Sequence, residues 1–187
     1  MCGRYLFSDG NNEQLDELIA IAEKKLPKKQ FEQIAINEVT PGSLSFVGVF
    51  DPLKNKMKTV TMKWGTPSFS NKTIINARSE TCFESRFFAG WIPCVIPASA
   101  YYEWSAAKRK YEFRTPEETF YMAGLYRQNN GCQEFVILTE EARDAAAGIH
   151  HRQPVIYDRE KAKAWCTSHT PSLLLKDSVD QRYFEEA

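Results

Sequence analysis

The strongest constraint on the fold is a succession of short apolar, β-branched and aromatic runs that fills the chain from residue 44 onward. The runs predicted as strands are 44–50, 58–64, 73–77, 94–97, 100–104, 110–114, 119–126, 134–138 and 154–157. Turn signals separate them, and Lys108-Arg109 and Asn129-Asn130-Gly131 are each predicted to form a turn. Strands this numerous and short, with few helices between them, predict an α+β fold built on a curved antiparallel β-sheet or barrel-like core.

Only a few short helices are predicted. The longest begins after Asn11-Asn12, whose side chains are suited to cap a helix, and it ends at Pro27. Its apolar positions recur at helical spacing and are Leu15, Leu18, Ile19, Ala22 and Leu26. Shorter helices are predicted at 80–90, at 140–147 and at 158–166, where Asp158 is the candidate N-cap.

Length and cysteine content limit the organisation of the chain. Dividing 187 residues by a typical domain length gives about 1.2, so we expect one domain over 1–187, with 177–187 as a loose tail. No apolar run approaches the ~18 residues of a membrane span. The five cysteines include no CxxC pair, which disfavours a disulfide framework or a zinc site and favours a reducing, cytoplasmic setting.

Charge excludes several classes of protein and then points to one segment. The chain has 24 basic and 24 acidic residues, which excludes a basic tail and an acidic disordered module. Residues 54–86, however, contain seven basic and two acidic residues, together with Trp64 and several phenylalanines. Basic groups interleaved with aromatics are typical of a groove for single-stranded nucleic acid, and a solvated basic face over core aromatics is the alternative.

The N-terminal sequence Met-Cys-Gly offers a specific chemistry. A small second residue permits removal of Met1, which would leave Cys2 with a free α-amine beside its thiol. Reference pKa values of about 8 for the amine and about 8.5 for the thiol make both groups nucleophilic near neutral pH. Such a 1,2-aminothiol can attack an aldehyde to form an imine and then close to a thiazolidine. A residue without function in a frayed terminus is the alternative interpretation of Cys2.

Two internal segments carry further polar candidates. Asn76 and Arg78 follow an apolar strand and can present an amide and a guanidinium at one rim, although the adjoining Ser79 is also a plausible helix cap. Glu103 lies between aromatics in a predicted strand. Desolvation there would disfavour its charged form and suit it to general acid–base catalysis, whereas strict alternation would place it on a solvent face.

Two of the three histidines, His150 and His151, are adjacent and precede a predicted strand. Their spacing does not match that of a zinc-binding helix, so metal binding is the weaker interpretation. One of them is a candidate proton donor or oxyanion partner. A surface or structural histidine remains the alternative.

Together and in this order, these segments resemble the SOS-response-associated peptidase (SRAP) family, proteins that crosslink covalently to abasic sites in single-stranded DNA. The matching segments are MCGRY at 1–5, VTPGS at 39–43, KWGTP at 63–67, INARSET at 75–81, the Phe87–Trp91 region leading into CVIPASAYYEW at 94–104, FYMAGLYR at 120–127 and IHHRQPVI at 149–156. The resemblance spans nearly the whole chain.

The resemblance implies a set of roles. Cys2, freed of Met1 by self-removal, would be the crosslinking nucleophile, and Asn76 would hold its amine or the sugar-derived group. Glu103 would shuttle the proton of ring opening and imine chemistry, while His150 would stabilise the released oxygen. The residues implied to bind or adjoin the DNA strand are Arg4, Pro41, Trp64, Arg78, Arg86 and Thr139.

The same resemblance implies a monomer that acts on single-stranded DNA containing abasic sites, with possible lyase activity and no metal or organic cofactor. Its expected location is cytoplasmic, and nucleoid-associated when bound to DNA. The chain departs from the family pattern at Ala100, at Gln153 and at His151, where an acidic or other polar residue is more usual. The adjacent histidine leaves open which of His150 and His151 is catalytic.

Two other classes of function fit parts of the sequence. N-terminal-nucleophile amidohydrolases also begin Met-Cys-Gly and use the cysteine thiol against an amide, with the α-amine as base. The chain lacks a matching glutamine-binding motif or a second synthase domain. A non-catalytic module for single-stranded or modified DNA is the other alternative, and it would not require Cys2 or Glu103.

Overall fold

Strands make up most of the fold in the computed structural model, which describes residues 2–70, 72–178 and 182–187. The strands are β1 (Arg4–Leu6), β2 (Glu38–Val39), β3 (Leu44–Asp51), β4 (Lys56–Trp64), β5 (Thr66–Pro67), β6 (Thr73–Ile74), β7 (Asn76–Arg78), β8 (Ile92–Ala98), β9 (Ala100–Trp104), β10 (Lys110–Arg114), β11 (Phe120–Asn129), β12 (Cys132–Glu141), β13 (Arg152–Pro154), β14 (Ile156–Tyr157) and β15 (Tyr183–Glu186). The α-helices are α1 (Glu13–Lys25), α2 (Lys28–Phe31), α3 (Asp144–Ala147) and α4 (Arg159–Thr167), and 3₁₀ turns cover Arg86–Phe88 and Pro171–Asp177.

Five strands of the larger sheet close on themselves in the order β12, β4, β3, β8, β11 and back to β12. Closure removes the free edges of these strands, as in a barrel. At Gly124 on β11, an added Cβ would lie 2.8 Å from the Val136 carbonyl oxygen, so only glycine allows this close approach. The predicted α+β class with a curved, barrel-like core is confirmed.

The pairing pattern is more mixed than the wholly antiparallel sheet expected. Strand β12 pairs in parallel with β4 through Glu134↔Lys63 and Phe135↔Trp64, and in parallel with β7 through Ile137↔Asn76. These are long-range contacts between segments with no direct hairpin connection, and no local turn signal encodes them. The parallel pair with β7 brings the segment that begins at Asn76 onto the sheet beside β12.

The second sheet has the strand order β15, β10, β9, β1, β2. Strand β1 therefore lies inside this sheet, with Tyr5 opposite Val39 on one side and opposite Tyr101 on the other. Because neighbours on both sides satisfy its backbone, the N-terminal segment is not frayed at Arg4–Leu6.

The C-terminal residues differ from the loose tail expected over 177–187. Tyr183–Glu186 pair with β10 along four residues, and the Phe184 ring lies 5.3 Å from that of Phe113 and 5.6 Å from that of Tyr111. Cross-strand aromatic pairs of this kind stabilise an edge strand. Residues 179–181 of the expected tail lie outside the described residues.

The helices differ from their local signals in three places, and one of them is the short helix α2, which is not predicted. The side chain of Asn12 accepts a hydrogen bond from the Leu15 N–H and caps α1, and Asp158 caps α4 in the same way. The helix expected at 80–90 is a series of turns with one 3₁₀ turn, Arg86–Phe88. The helix expected at 140–147 is limited to Asp144–Ala147 because β12 continues to Glu141, where pairing with β13 satisfies its backbone.

Candidate active site and nucleic-acid interface

Cys2 is held in the interior immediately before β1. Its side chain is 0% exposed, and its carbonyl oxygen accepts a hydrogen bond of 2.8 Å from Asn76 Nδ2. Its Sγ lies 3.8 Å from the Arg4 carbonyl oxygen. The frayed-terminus interpretation of Cys2 is therefore wrong, and Met1 lies outside the described residues.

Asn76 joins the two sheets at this point. It begins β7, which lies beside β12 of the barrel, while its amide nitrogen reaches across to Cys2 of the other sheet. Its Oδ1 atom is buried and accepts no hydrogen bond from the described residues. Buried polar atoms of this kind usually have a partner, so Oδ1 is an acceptor available to a ligand that enters the site.

Glu103 is the acidic group of the site. It lies on β9 one residue beyond Tyr102, which pairs with Arg4, and it is 4% exposed. Of the two alternatives for this carboxyl, the buried position is confirmed and the solvent-facing one is wrong. Burial raises the pKa of Glu103, and a raised pKa makes a carboxyl better suited to donate as well as accept a proton during catalysis.

The thiol of Cys2 is also affected by this environment. Burial, followed by the negative charge of Glu103, raises the pKa of the Cys2 thiol, and Arg182 acts in the opposite direction. The thiol is therefore protonated at neutral pH and needs a base before it can react. Glu103 is close enough to influence it electrostatically, which makes this carboxyl the candidate base.

His150 and His151 differ in environment although they are adjacent. His150 is half-buried, and its Nδ1 accepts a hydrogen bond of 3.0 Å from the Arg152 N–H. The Arg152 carbonyl oxygen lies 3.1 Å from the same nitrogen, but a backbone N–H can only donate, so we assign the proton of the neutral ring to Nε2. Burial lowers the pKa of His150, whereas His151 is exposed and its pKa is lowered chiefly by the charge of His150.

Three of the six residues implied to bind DNA are exposed, namely Pro41, Arg78 and Arg86. A fourth, Arg4, is half-buried, donates to Glu38 Oε1 at 2.8 Å, and lies 5.5 Å from the centre of the Trp104 ring. The guanidinium groups of Arg78 and Arg86 are thus accessible to phosphates, while Arg4 would have to exchange a carboxylate partner for one.

Trp64 does not have the exposed position that a stacking role requires. It is 0% exposed, its Nε1 donates to the Ile75 carbonyl oxygen at 2.9 Å, and its ring packs on Tyr5 and Phe135. The reason is the alternation of β4, which turns Met62 and Trp64 toward the core. The prediction that Trp64 stacks on a DNA base is therefore wrong for this conformation, since the ring belongs to the core.

An exposed aromatic residue lies five positions further along the chain. Phe69 is 93% exposed, and its ring meets that of Phe87 edge-on at 5.4 Å. Phe87 in turn packs on Trp91. The Arg127 guanidinium lies 5.6 Å from the centre of the Phe87 ring and 4.9 Å from that of the Trp91 ring. The sequence marks Phe69 only as one aromatic of the basic window, because exposure is not visible in the sequence.

Thr139 is a buried neighbour of the site rather than a surface contact. The Thr139 Oγ1 donates to the Ala77 carbonyl oxygen at 3.4 Å, and Thr139 is 1% exposed. Arg152 covers it, donating to its carbonyl oxygen and forming a two-point ion pair with Glu80 at 2.7 and 2.9 Å. The expectation that Thr139 adjoins the DNA strand stays a prediction, with its side chain buried in this structure. Arg152, within the IHHRQPVI segment, is an additional cation at this face.

Arg182 is another residue near the site that the sequence patterns do not reveal. Its side chain is 3% exposed, and its guanidinium donates to the Pro154 carbonyl oxygen at 3.1 Å, to Ser178 Oγ at 3.2 Å and to the Tyr101 hydroxyl at 3.4 Å. It connects the C-terminal segment to both sheets, and its charge acts to lower the pKa of the Cys2 thiol. No signal marks it, because it lies in the stretch expected to be a loose tail.

Within the described ranges, no group of three or more His, Cys, Asp or Glu side chains is placed to hold a metal ion. None of the helices in the described part of the chain is long and apolar enough to span a membrane.

Sequence comparison finds relatives that cover most of the chain. The abasic site processing protein YoaM of Bacillus subtilis is 28% identical, covering 96% of this chain and 88% of its own. The abasic site processing protein YedK of Escherichia coli is 27% identical, covering 88% of this chain and 79% of its own.

Comparison with solved structures supports the fold. A crystal structure of a phage-related protein from Bordetella bronchiseptica superposes with a TM-score of 0.73 at 19% identity, covering all of this chain and 94% of that one. The family model described as SOS response associated peptidase (SRAP) matches residues 1–185. The chain therefore belongs to the SOS response associated peptidase family.

Proposed function

We propose that this protein binds single-stranded DNA and links Cys2 covalently to the ring-opened aldehyde of an abasic site as a thiazolidine. The observation that carries the proposal is the environment of Cys2. This cysteine is buried in the fold, its carbonyl oxygen accepts a hydrogen bond from Asn76, and the charge of the buried Glu103 carboxyl raises the pKa of its thiol. The names of the relatives, abasic site processing proteins, support the same substrate class.

The first step of the proposed reaction is removal of Met1 by hydrolysis, which consumes one water and exposes the α-amine of Cys2. The amine then attacks the aldehyde, and loss of one water gives an imine. The Cys2 thiol adds across the C=N bond, its proton moves to nitrogen, and a five-membered thiazolidine closes. The atoms balance as one aldehyde and one aminothiol forming one thiazolidine and one water.

The neighbouring side chains supply what this sequence of steps requires. Glu103 has a raised pKa, so the same group can protonate the departing hydroxyl of the carbinolamine and later accept the thiol proton. The Nε2–H of His150 is assigned by the contact of its Nδ1 with the Arg152 N–H and can donate to the sugar oxygen released on ring opening. The Oδ1 atom of Asn76, which accepts no hydrogen bond from the described residues, can accept one from the amine.

Intact mass spectrometry tests the proposal on the full chain. We expect the purified protein to lack Met1, and an oligonucleotide with one abasic site to add its mass less one water. The matched control is an oligonucleotide carrying a tetrahydrofuran analogue, which has no aldehyde and should give no adduct. A protein that stays at its starting mass with the aldehyde substrate would refute the proposal.

The DNA path is proposed to run along the exposed basic residues and the Phe69 ring. Base stacking on an exposed aromatic contributes about 1 to 3 kcal/mol to binding of single strands. We therefore expect Phe69→Ala to weaken noncovalent affinity by that amount, measured by fluorescence anisotropy with the tetrahydrofuran oligonucleotide. Leu53→Ala, which alters a 96% exposed side chain in the turn between β3 and β4, is the control. Equal affinity of Phe69→Ala and wild type would remove Phe69 from the path.

A further inference from the structure

The rings of His150 and His151 form a stacked pair. Their centroids are 4.4 Å apart and their planes meet at 30°. The backbone holds both residues in place, since the His150 N–H donates to the Ala146 carbonyl oxygen at 2.9 Å and the His151 carbonyl oxygen accepts from the Ala142 N–H at 3.0 Å. The stack is thus anchored on the turn of α3, with the half-buried ring of His150 on the inside and the exposed ring of His151 on the outside.

Two imidazolium ions at this separation would repel each other. Unit charges about 4 Å apart interact by about 1 kcal/mol even in bulk water, which corresponds to about 0.7 pH unit. Burial of His150 adds to this cost, and the pKa values of both rings are lowered. A proton on one ring therefore lowers the pKa of the other, so the two rings do not titrate independently.

The charges that face the pair come from several elements. The positive charges of the amino terminus and of Arg152 on β13 lower the pKa of both rings, and Arg78 at the end of β7 adds to this effect on His151. Arg152 is itself paired with Glu80. The buried carboxyl of Glu103 on β9 is the acidic group, and His151 acts on its pKa. The cations disfavour a second proton on the histidine pair. The negative charge of Glu103 favours the presence of one proton on the pair.

We propose that His151 is a positioning residue for His150, stacking on it from the solvent side so that the two rings accept one proton between them rather than two. In this arrangement His151 keeps His150 neutral, with its proton on Nε2, to a lower pH than a single histidine would allow. Only the expected effect of His151 on the crosslinking reaction rests on the proposed function. The coupling of the two rings exists without DNA.

NMR titration of the histidine rings in the DNA-free protein tests the coupling. In the wild type we expect both rings to report two steps, the second displaced by about 0.7 pH unit or more below that of an uncoupled ring. In His151→Asn and in His151→Phe, His150 should titrate in one step at higher pH than the second wild-type step. Independent single steps in the wild type, with no change for His150 in either variant, would overturn the inference.

The pH dependence of single-turnover crosslinking tests the positioning role. His151→Phe keeps an aromatic ring on His150 without the charge, and His151→Asn removes the ring as well. We expect the acid limb of the rate profile to move to higher pH in both variants, because His150 is then protonated at higher pH. The phenylalanine ring should also hold the His150 ring in its orientation better than asparagine does. An unchanged acid limb in both would overturn the positioning role, whereas absence of crosslinking by the wild type would overturn the proposed function instead.

Discussion

Cys2→Ala is expected to abolish the stable linkage to an abasic oligonucleotide, lowering its yield by at least roughly two orders of magnitude because the closing nucleophile is removed. Alanine is also a small second residue, so Met1 can be removed without the Cys2 thiol, and the variant then presents an α-amine. The imine should therefore form and revert, and it should become visible on a denaturing gel only after reduction with borohydride. Cys2→Ser, which retains a hydroxyl, should behave in the same way.

Cys132→Ala provides the matched control, since Cys132 is an exposed free cysteine at the start of β12. It should crosslink like the wild type. If Cys2→Ala gave as much stable product without borohydride as the wild type, the thiazolidine would not be the product. If the Cys132 variant lost the linkage, the reactive thiol would lie elsewhere.

Trp64→Ala is expected to reduce the free energy of unfolding by about 3 to 5 kcal/mol, as for other buried large-to-small changes at aromatic residues. The ring fills the core between β1 and β12, and its loss also leaves the Ile75 carbonyl oxygen without its donor. Urea denaturation followed by circular dichroism measures the change. Phe69→Ala, at a 93% exposed position, should change the stability by no more than about 0.5 kcal/mol.

The same substitution should disturb the site through Tyr5. The Tyr5 ring lies 5.3 Å from that of Trp64, and its hydroxyl donates to Ser45 at 2.8 Å, so this contact helps to fix β1 and the adjoining Cys2. Trp64→Ala should therefore lose crosslinking activity as well as stability, while its affinity for DNA falls only with the folded fraction. A Trp64→Ala variant with wild-type stability but weakened DNA binding would return Trp64 to the DNA interface.

Much of the fold follows from local signals. The short strand runs, the Asn12 and Asp158 caps and the turns at Lys108 and Asn130 are local, because each depends on side-chain alternation or on backbone conformations available within a few residues. The pairings that close the barrel are not local. Parallel contact of β12 with β4 and β7 joins segments about 60 or more residues apart, and no motif within either segment specifies it.

The helix expected at 140–147 illustrates the same limit. Its residues have high intrinsic helix propensity, but the first two continue β12 because Glu140 and Glu141 find partners in β13. Tertiary pairing overrides propensity where it satisfies the backbone equally well and also buries apolar neighbours. The tail is a second example, since Phe184 becomes ordered by packing on Phe113 and Tyr111.

The class of fold and the family can be read from the amino-acid sequence, because strand periodicity and motif order are properties of the chain alone. The Met-Cys-Gly motif likewise marks Cys2 as the candidate reactive group. The folded arrangement is needed to see that Trp64 lies in the core and Phe69 on the surface, that Arg182 connects the two sheets, and that the ring of His151 packs on that of His150. Exposure and proximity depend on which distant strands pair and in what register. That information lies in the closed barrel as a whole and not in any one of its segments.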